Sequence, residues 1–101
     1  MNKKKLPEEL EHFLSDYKGD SIWNSFVMCL EVKEEDISNI VKKYKISKSL
    51  SKAILWHVRA EYTDNWLHKS IPMLCNYRPI DLIENYNNGE ICLRSLLLQM
   101  H

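Results

Sequence analysis

In 101 residues this chain has two glycines, Gly19 and Gly89, and three prolines, Pro7, Pro72 and Pro79. Those residue types most often turn or break a backbone, so long stretches are free to run as helix. Apolar residues fill the intervals at helical spacing. Leu10, Phe13, Leu14 and Tyr17 fall at i, i+3, i+4 and i+7 and predict a first helix over 7–17. Glu8, Glu9 and Glu11 sit near its positive end, and Gly19 is placed to close it. Asp20 or Ser21 caps a second helix with Ile22, Trp23, Phe26, Val27 and Leu30 on one face. After a charged connection, Glu31 to Glu35, Asp36 caps a third with Ile37, Ile40, Val41 and Tyr44 inward. A fourth starts at Ser47 or Ser49 and runs to Trp66 or Leu67, with Leu50, Ile54, Val58 and Tyr62 as its stripe. The expectation is an all-α, compact single domain of five or six helices with no strand.

An apolar fraction of 45% supports a core at this length, and ten aromatic residues, among them Trp23, Trp56 and Trp66, favour a packed core or a buried interface. Cys29, Cys75 and Cys92 are odd in number and lack a CxxC spacing, which points to a reducing compartment rather than a disulfide framework. Lys3, Lys4 and Lys5 are followed by Pro7 and acids, unlike a signal peptide, and read as a solvated, disordered basic terminus over 1–5. No apolar run reaches membrane-spanning length. A cytoplasmic protein without a membrane partner is expected.

Net charge is zero, but residues 37–60 hold six cations and no acid, whereas residues 6–36 hold nine acids and two lysines. A basic block is a local statement about partners. Residues 36–56 have the outline of a degenerate helix-turn-helix, in which a second helix enters the major groove with its first turns. Lys45, Lys48, Ser49 and Lys52 would then meet operator DNA. The first turns of that helix have no Asn, Gln or Arg to read base edges, Lys45 stands where the turn usually has Gly, and Ser51 takes an inward position. A solvated lysine face on two ordinary helices is the competing reading.

Catalysis and metal binding find little support. His57 and His68 lie eleven residues apart, about 16 Å along one helix, too far to share an ion. Asp64 and His68, and likewise His57 and Glu61, read as surface pairs four residues apart. There is no nucleophile elbow and no Gly-rich phosphate loop. Neither an enzyme nor a cofactor is expected.

The most patterned stretch is the last third. Trp66 and Leu67 end a helix, Ile71 to Arg78 is a Pro-containing connection, and Pro79 to Ile83 is a Pro-started helical turn. Asn85 to Gly89 is a polar turn, with Gly89 placed where a reversal needs positive φ. The last helix, with Ile91, Leu93, Leu96, Leu97, Leu98 and Met100, is apolar on more than one face, which means burial or a partner.

The order Trp66, Leu67, Pro72, Leu74, Pro79, Asp81, Leu82, Ile83, Gly89, Leu93, Leu96, Leu97 resembles the toxin-binding domain of the MbcA/ParS/Xre antitoxins. That family usually has Gly-Gly or Gly-x after the spacer Leu, where this chain has Cys75 and Asn76. The resemblance implies a toxin-binding and dimerisation module over 47–101, preceded by helices over 6–46. It implies a bacterial type II antitoxin that forms a homodimer and occludes a cognate RES-type, NAD-consuming toxin. Trp66, Leu67, Leu93, Arg94, Leu97 and Leu98 would then line the toxin or dimer interface, with Arg94 reaching an acidic pocket. A DNA-binding autoregulator, or a helical interaction protein with an unrelated partner, are the alternatives.

Overall fold

The computed structural model describes residues 3–100. They form seven α-helices and two 3-10 turns, with no strand among the described residues. The helices are α1 (Glu11–Asp16), α2 (Asp20–Met28), α3 (Glu34–Tyr44), α4 (Lys48–Val58), α5 (Ala60–Leu67), α6 (Pro79–Asn85) and α7 (Gly89–Met100). The 3-10 turns are Glu8–Leu10, which leads into α1, and Pro72–Leu74. The all-α expectation holds, with more helices than the spacing predicted.

The extra helix comes from a break at Arg59. The expected fourth helix divides there into α4 and α5 because Arg59 adopts φ 66° and ψ 157°. Its N–H still caps α4 on the Leu55 carbonyl, while its own carbonyl accepts the buried Thr63 hydroxyl at 2.8 Å. Past the break the stripe is lost: Leu50 and Ile54 are buried, but Tyr62 is 56% exposed.

Within the chain, packing separates two compact units. One comprises residues 18–63, the other the N-terminal residues up to Tyr17 together with Asp64 onward. The division falls inside α5, and the expected boundary at residues 46/47 does not coincide with it.

In the first unit, α4 is the central element, with α2 and α3 packed on it. Its core is Trp23, Leu30, Ile37, Ile40, Ile46, Leu50, Ala53, Ile54 and Leu55. The α3 start falls at Glu34, ahead of Asp36, with Lys33 at the N-cap and three acids in the first turn to complement the helix dipole. Of the two expected starts of the fourth helix, Ser47 and Ser49, Ser47 is the N-cap of α4, accepting the Leu50 N–H at 3.3 Å. Ile22, expected inward, is 50% exposed. Gly19 does not close α1, which ends at Asp16; it is the N-cap of α2, at φ 95°.

In the second unit, α7 is the central element, with α1 and α6 against it. Leu10, Phe13, Leu67, Leu74, Ile80, Leu82, Cys92, Leu93, Leu96 and Leu97 are its core. Two helices pack on α7, and this is why its apolar residues wrap more than one stripe. Lys3–Lys5 is not a frayed end. Lys4 exchanges backbone hydrogen bonds with Asn85 and Asn87, both 2.8 Å, as an isolated parallel bridge to Tyr86, and Lys3 Nζ donates to the Ile83 carbonyl. Residues 1 and 2 of the expected disordered terminus lie outside the described residues.

Candidate functional site

The residues that carry the family resemblance all belong to this second unit, and most of them have a structural task there. Pro72 and Pro79 each open a helical segment, where a missing N–H leaves no partner wanting. Leu74 and Leu82 are fully buried. Asp81, in the first turn of α6, accepts both the Nε–H and an Nη2–H of Arg78 at 2.8 Å. These hydrogen bonds, with the guanidinium charge and the nearby His68, hold the Asp81 carboxyl below its usual range.

Gly89 is explained by proximity. Its φ is not positive; the left-handed residue of that turn is Asn88, at φ 63°. A Cβ on Gly89 would stand 1.8 Å from the Leu82 carbonyl oxygen and 2.5 Å from the Leu82 carbonyl carbon. Only glycine lets the start of α7 lie on the backbone of α6 at this distance. Positive φ also falls on Cys75 (53°) and Asn76 (68°), the positions where the family usually has Gly-Gly or Gly-x. Each such residue with a Cβ is disfavoured by about 1–2 kcal/mol, less for Asn.

The expected interface residues separate into two sets. Leu67, Leu93 and Leu97 are completely buried within the unit and are not available as a contact surface. Trp66 and Leu98 are half-buried. Arg94 does not reach outward alone: its Nε–H and Nη2–H donate to Glu90 Oε2 (3.1 and 2.7 Å) and an Nη1–H donates to Tyr17 Oη (3.1 Å). Burial pulls the Arg94 pKa down, but the hydrogen bonds to Tyr17 and Glu90 outweigh it and leave it raised. The half-buried residues of α7 are Glu90, Ile91, Arg94 and Leu98, and Ile91, Arg94 and Leu98 make one outward stripe. Met73, in the second 3-10 turn, is 54% exposed in the same unit.

The expected DNA-contact residues lie in the first unit. Lys45 ends α3 in the left-handed region, φ 56°, so the turn between α3 and α4 takes the backbone form that glycine would favour, with lysine in its place. Lys48 and Glu34 are an exposed ion pair at 3.6 Å. Ser49 is half-buried, and its hydroxyl oxygen accepts the indole N–H of the buried Trp23 at 3.1 Å. Lys52 is partly exposed on the outer side of α4. A groove of about 190 Å³ runs along α3 beside Lys48, floored by Ile37 and Val41 and edged by Glu34 and Lys42.

Trp56, expected in a packed core or at a buried interface, is 44% exposed. Its ring meets Phe26 edge-on at 6.4 Å between centroids. The signal was present in the spacing. Trp56 follows Lys48 and Lys52 at intervals of four, on the arc opposite to Leu50, Ala53 and Ile54.

Two further expectations concern polar groups. The His68–Asp64 pair is side chain to backbone, the Nδ1–H donating to the Asp64 carbonyl at 2.9 Å. Among the described residues no cluster of three His, Cys, Asp or Glu is disposed to hold a metal ion, and no helix is long and apolar enough to cross a membrane. Cys92 is buried, which pushes its thiol up to about 12, so it stays protonated; Cys29 and Cys75 are exposed. Comparison of the chain with protein-family models, with curated proteins and with solved structures finds no match in any of the three.

Proposed function

We propose that this chain is an antitoxin-like binding protein whose second unit, built around α7, docks on a partner enzyme and blocks it without doing chemistry. The observation that carries the reading is the left-handed pair Cys75–Asn76. The sequence departs from the MbcA/ParS/Xre pattern at those two positions, yet the backbone adopts there the conformation that the family's glycines favour. The close approach at Gly89 and the paired Arg78–Asp81 give the same pattern a physical basis. The partner class implied by the resemblance is a RES-type, NAD-consuming toxin, and occlusion of its cleft is the mechanism.

The docking surface consists of the side chains that the core leaves available: Ile91, Arg94 and Leu98 along α7, with Trp66 and Met73 in the same unit. Half-buried apolar groups around a guanidinium that is already oriented form a suitable centre for an interface, because little side-chain entropy remains to be lost on binding. The homodimer that the resemblance implies would draw on the same unit.

The test is co-expression with the product of the adjacent reading frame. A stoichiometric complex and rescue of growth are expected. Leu98→Asp, at a half-buried position, should abolish both while the free protein keeps its helical circular dichroism. A wild-type chain that elutes alone and rescues nothing removes this reading.

A further inference from the structure

The first unit has a surface that the toxin-binding reading does not use. Viewed down α4, the residues Leu50, Ser51, Ala53, Ile54 and Leu55 are all buried. Away from Leu50, Ala53 and Ile54, the outer arc carries Lys48, Lys52 and Trp56, one residue per helical turn over about 12 Å, with the buried Leu55 at its edge. Phe26 of α2 lies against the Trp56 ring. Lys45 is exposed at the turn that leads into α4. Lys45 and Lys52 make no ion pair among the described residues. The Lys48–Glu34 pair is exposed on both sides, and such pairs hold with little energy against a competing anion.

We propose that this arc, Lys48, Lys52 and Trp56, together with Lys45 and Phe26, is a platform for single-stranded nucleic acid, bound without regard to sequence.

Charge complementarity identifies the class of partner. No acidic residue occurs between residues 37 and 60, and the six cations there suit a polyanion. The side chains then decide which polyanion. Reading a duplex through the major groove relies mainly on forked donors such as Arg, Asn or Gln in the first turns of the helix; α4 has lysines in their place, whose single point charge is the weaker reader. The one short polar candidate, Ser49, already receives the indole N–H of Trp23. What the arc does present is point charges and a flat, exposed indole. Lysines attract phosphates without distinguishing sequences. An indole offers a stacking face, which an unpaired base can use and a base inside a duplex cannot. The edge-on contact with Phe26 limits the swing of Trp56, so little of its rotamer freedom is left to lose on stacking.

The experiment uses the full chain with fluorescent oligothymidylate, oligouridylate and a mixed-sequence duplex, across a salt series, with a poly-glutamate peptide as competitor. Saturable binding of both single strands is expected, with a log–log salt slope of about −2 for three neutralised phosphates. Trp56→Ala should weaken binding by roughly ten-fold or more, Trp56→Phe should restore most of it, and Lys52→Glu should weaken it and flatten the slope. Trp56 is exposed, so its replacement leaves the core intact, which circular dichroism of each variant checks. The proposal is overturned by absence of binding at low salt, or by wild-type affinity in Trp56→Ala. It is equally overturned by tighter binding of the duplex, or by poly-glutamate competing as well as the oligonucleotides, which would mark the arc as a site for an acidic protein segment.

Discussion

The two units solve the same packing problem by different means. In the unit of residues 18–63, α2 and α3 close over α4 by side-chain packing, and the positive-φ residues Gly19, Lys45 and Arg59 stand at helix ends: Trp23 fills the centre, and its one polar atom is satisfied by Ser49. In the unit built on α7, the backbone itself is specialised. A glycine lets α6 and α7 touch, two prolines open segments, and two consecutive residues take positive φ. A core held by side-chain volume tolerates many sequences of similar volume. A core held by backbone contact demands particular residues at particular places. The second unit accordingly fixes the residue type at more positions, while the first has a basic, aromatic surface.

That contrast can be broken by substitution. The largest effect is expected from Trp23→Ala, which empties the centre of the first unit and leaves Ser49 without its donor; a loss of about 3–5 kcal/mol in urea unfolding is expected. Trp23→Phe should keep most of the volume and recover the greater part of it. Gly89→Ala should cost about 3 kcal/mol despite adding a single methyl, because the atoms in its way are backbone and cannot rotate aside. Amide exchange around α6 and α7 should report that loss locally. If Gly89→Ala is neutral, the backbone account of the second unit fails.

Substitutions in the stabilising direction are smaller. Arg59 holds φ 66° with ψ 157°, a region used almost only by glycine, so Arg59→Gly should raise stability by about 1 kcal/mol. Cys75→Gly should give a similar or smaller gain, while Asn76→Gly should be close to neutral, since Asn enters the left-handed region more readily. Thermal melts of the three variants rank these positions. The smallest effect is that of Asp81→Asn. The Asp81–Arg78 pair is screened by solvent, so its contribution near neutral pH is small. The folded-state pKa of Asp81 lies below that of the unfolded chain, near 3.9. The contribution is therefore present above about pH 4 and lost as pH falls through the depressed pKa. Wild type and Asp81→Asn should converge in acid; a difference that persists there would assign the effect to something other than charge.

The residues that sequence reasoning located best were those whose roles are local. The start of α4 near Ser47, Pro79 at the start of α6 and the inward Ile37, Ile40, Leu50 and Ile54 follow from propensity and periodicity, and the structure has them where expected. The break at Arg59 has no such signal, because an arginine there gives no warning of positive φ. Leu67, Leu93 and Leu97 were legible as apolar but not as inward, since an apolar helix face reads alike whether its cover is another helix of the same chain or a partner. For Arg94 the chain itself supplies Glu90 and Tyr17 as neighbours, and Tyr17 lies 77 residues away.

By itself the sequence determined the helical class, most helix starts and the uneven distribution of charge, because each depends on residues within a turn or two of one another. Tertiary structure decided which apolar faces are covered and where glycine is indispensable. It also decided that the N-terminal lysines are held against the turn before α7 and that Trp56 is left at the surface. Those outcomes depend on which distant segments meet, and local spacing cannot encode them. The case of Gly89 is the clearest: its place in a polar turn explains its presence by φ, whereas the structure explains it by a carbonyl that no side chain could share.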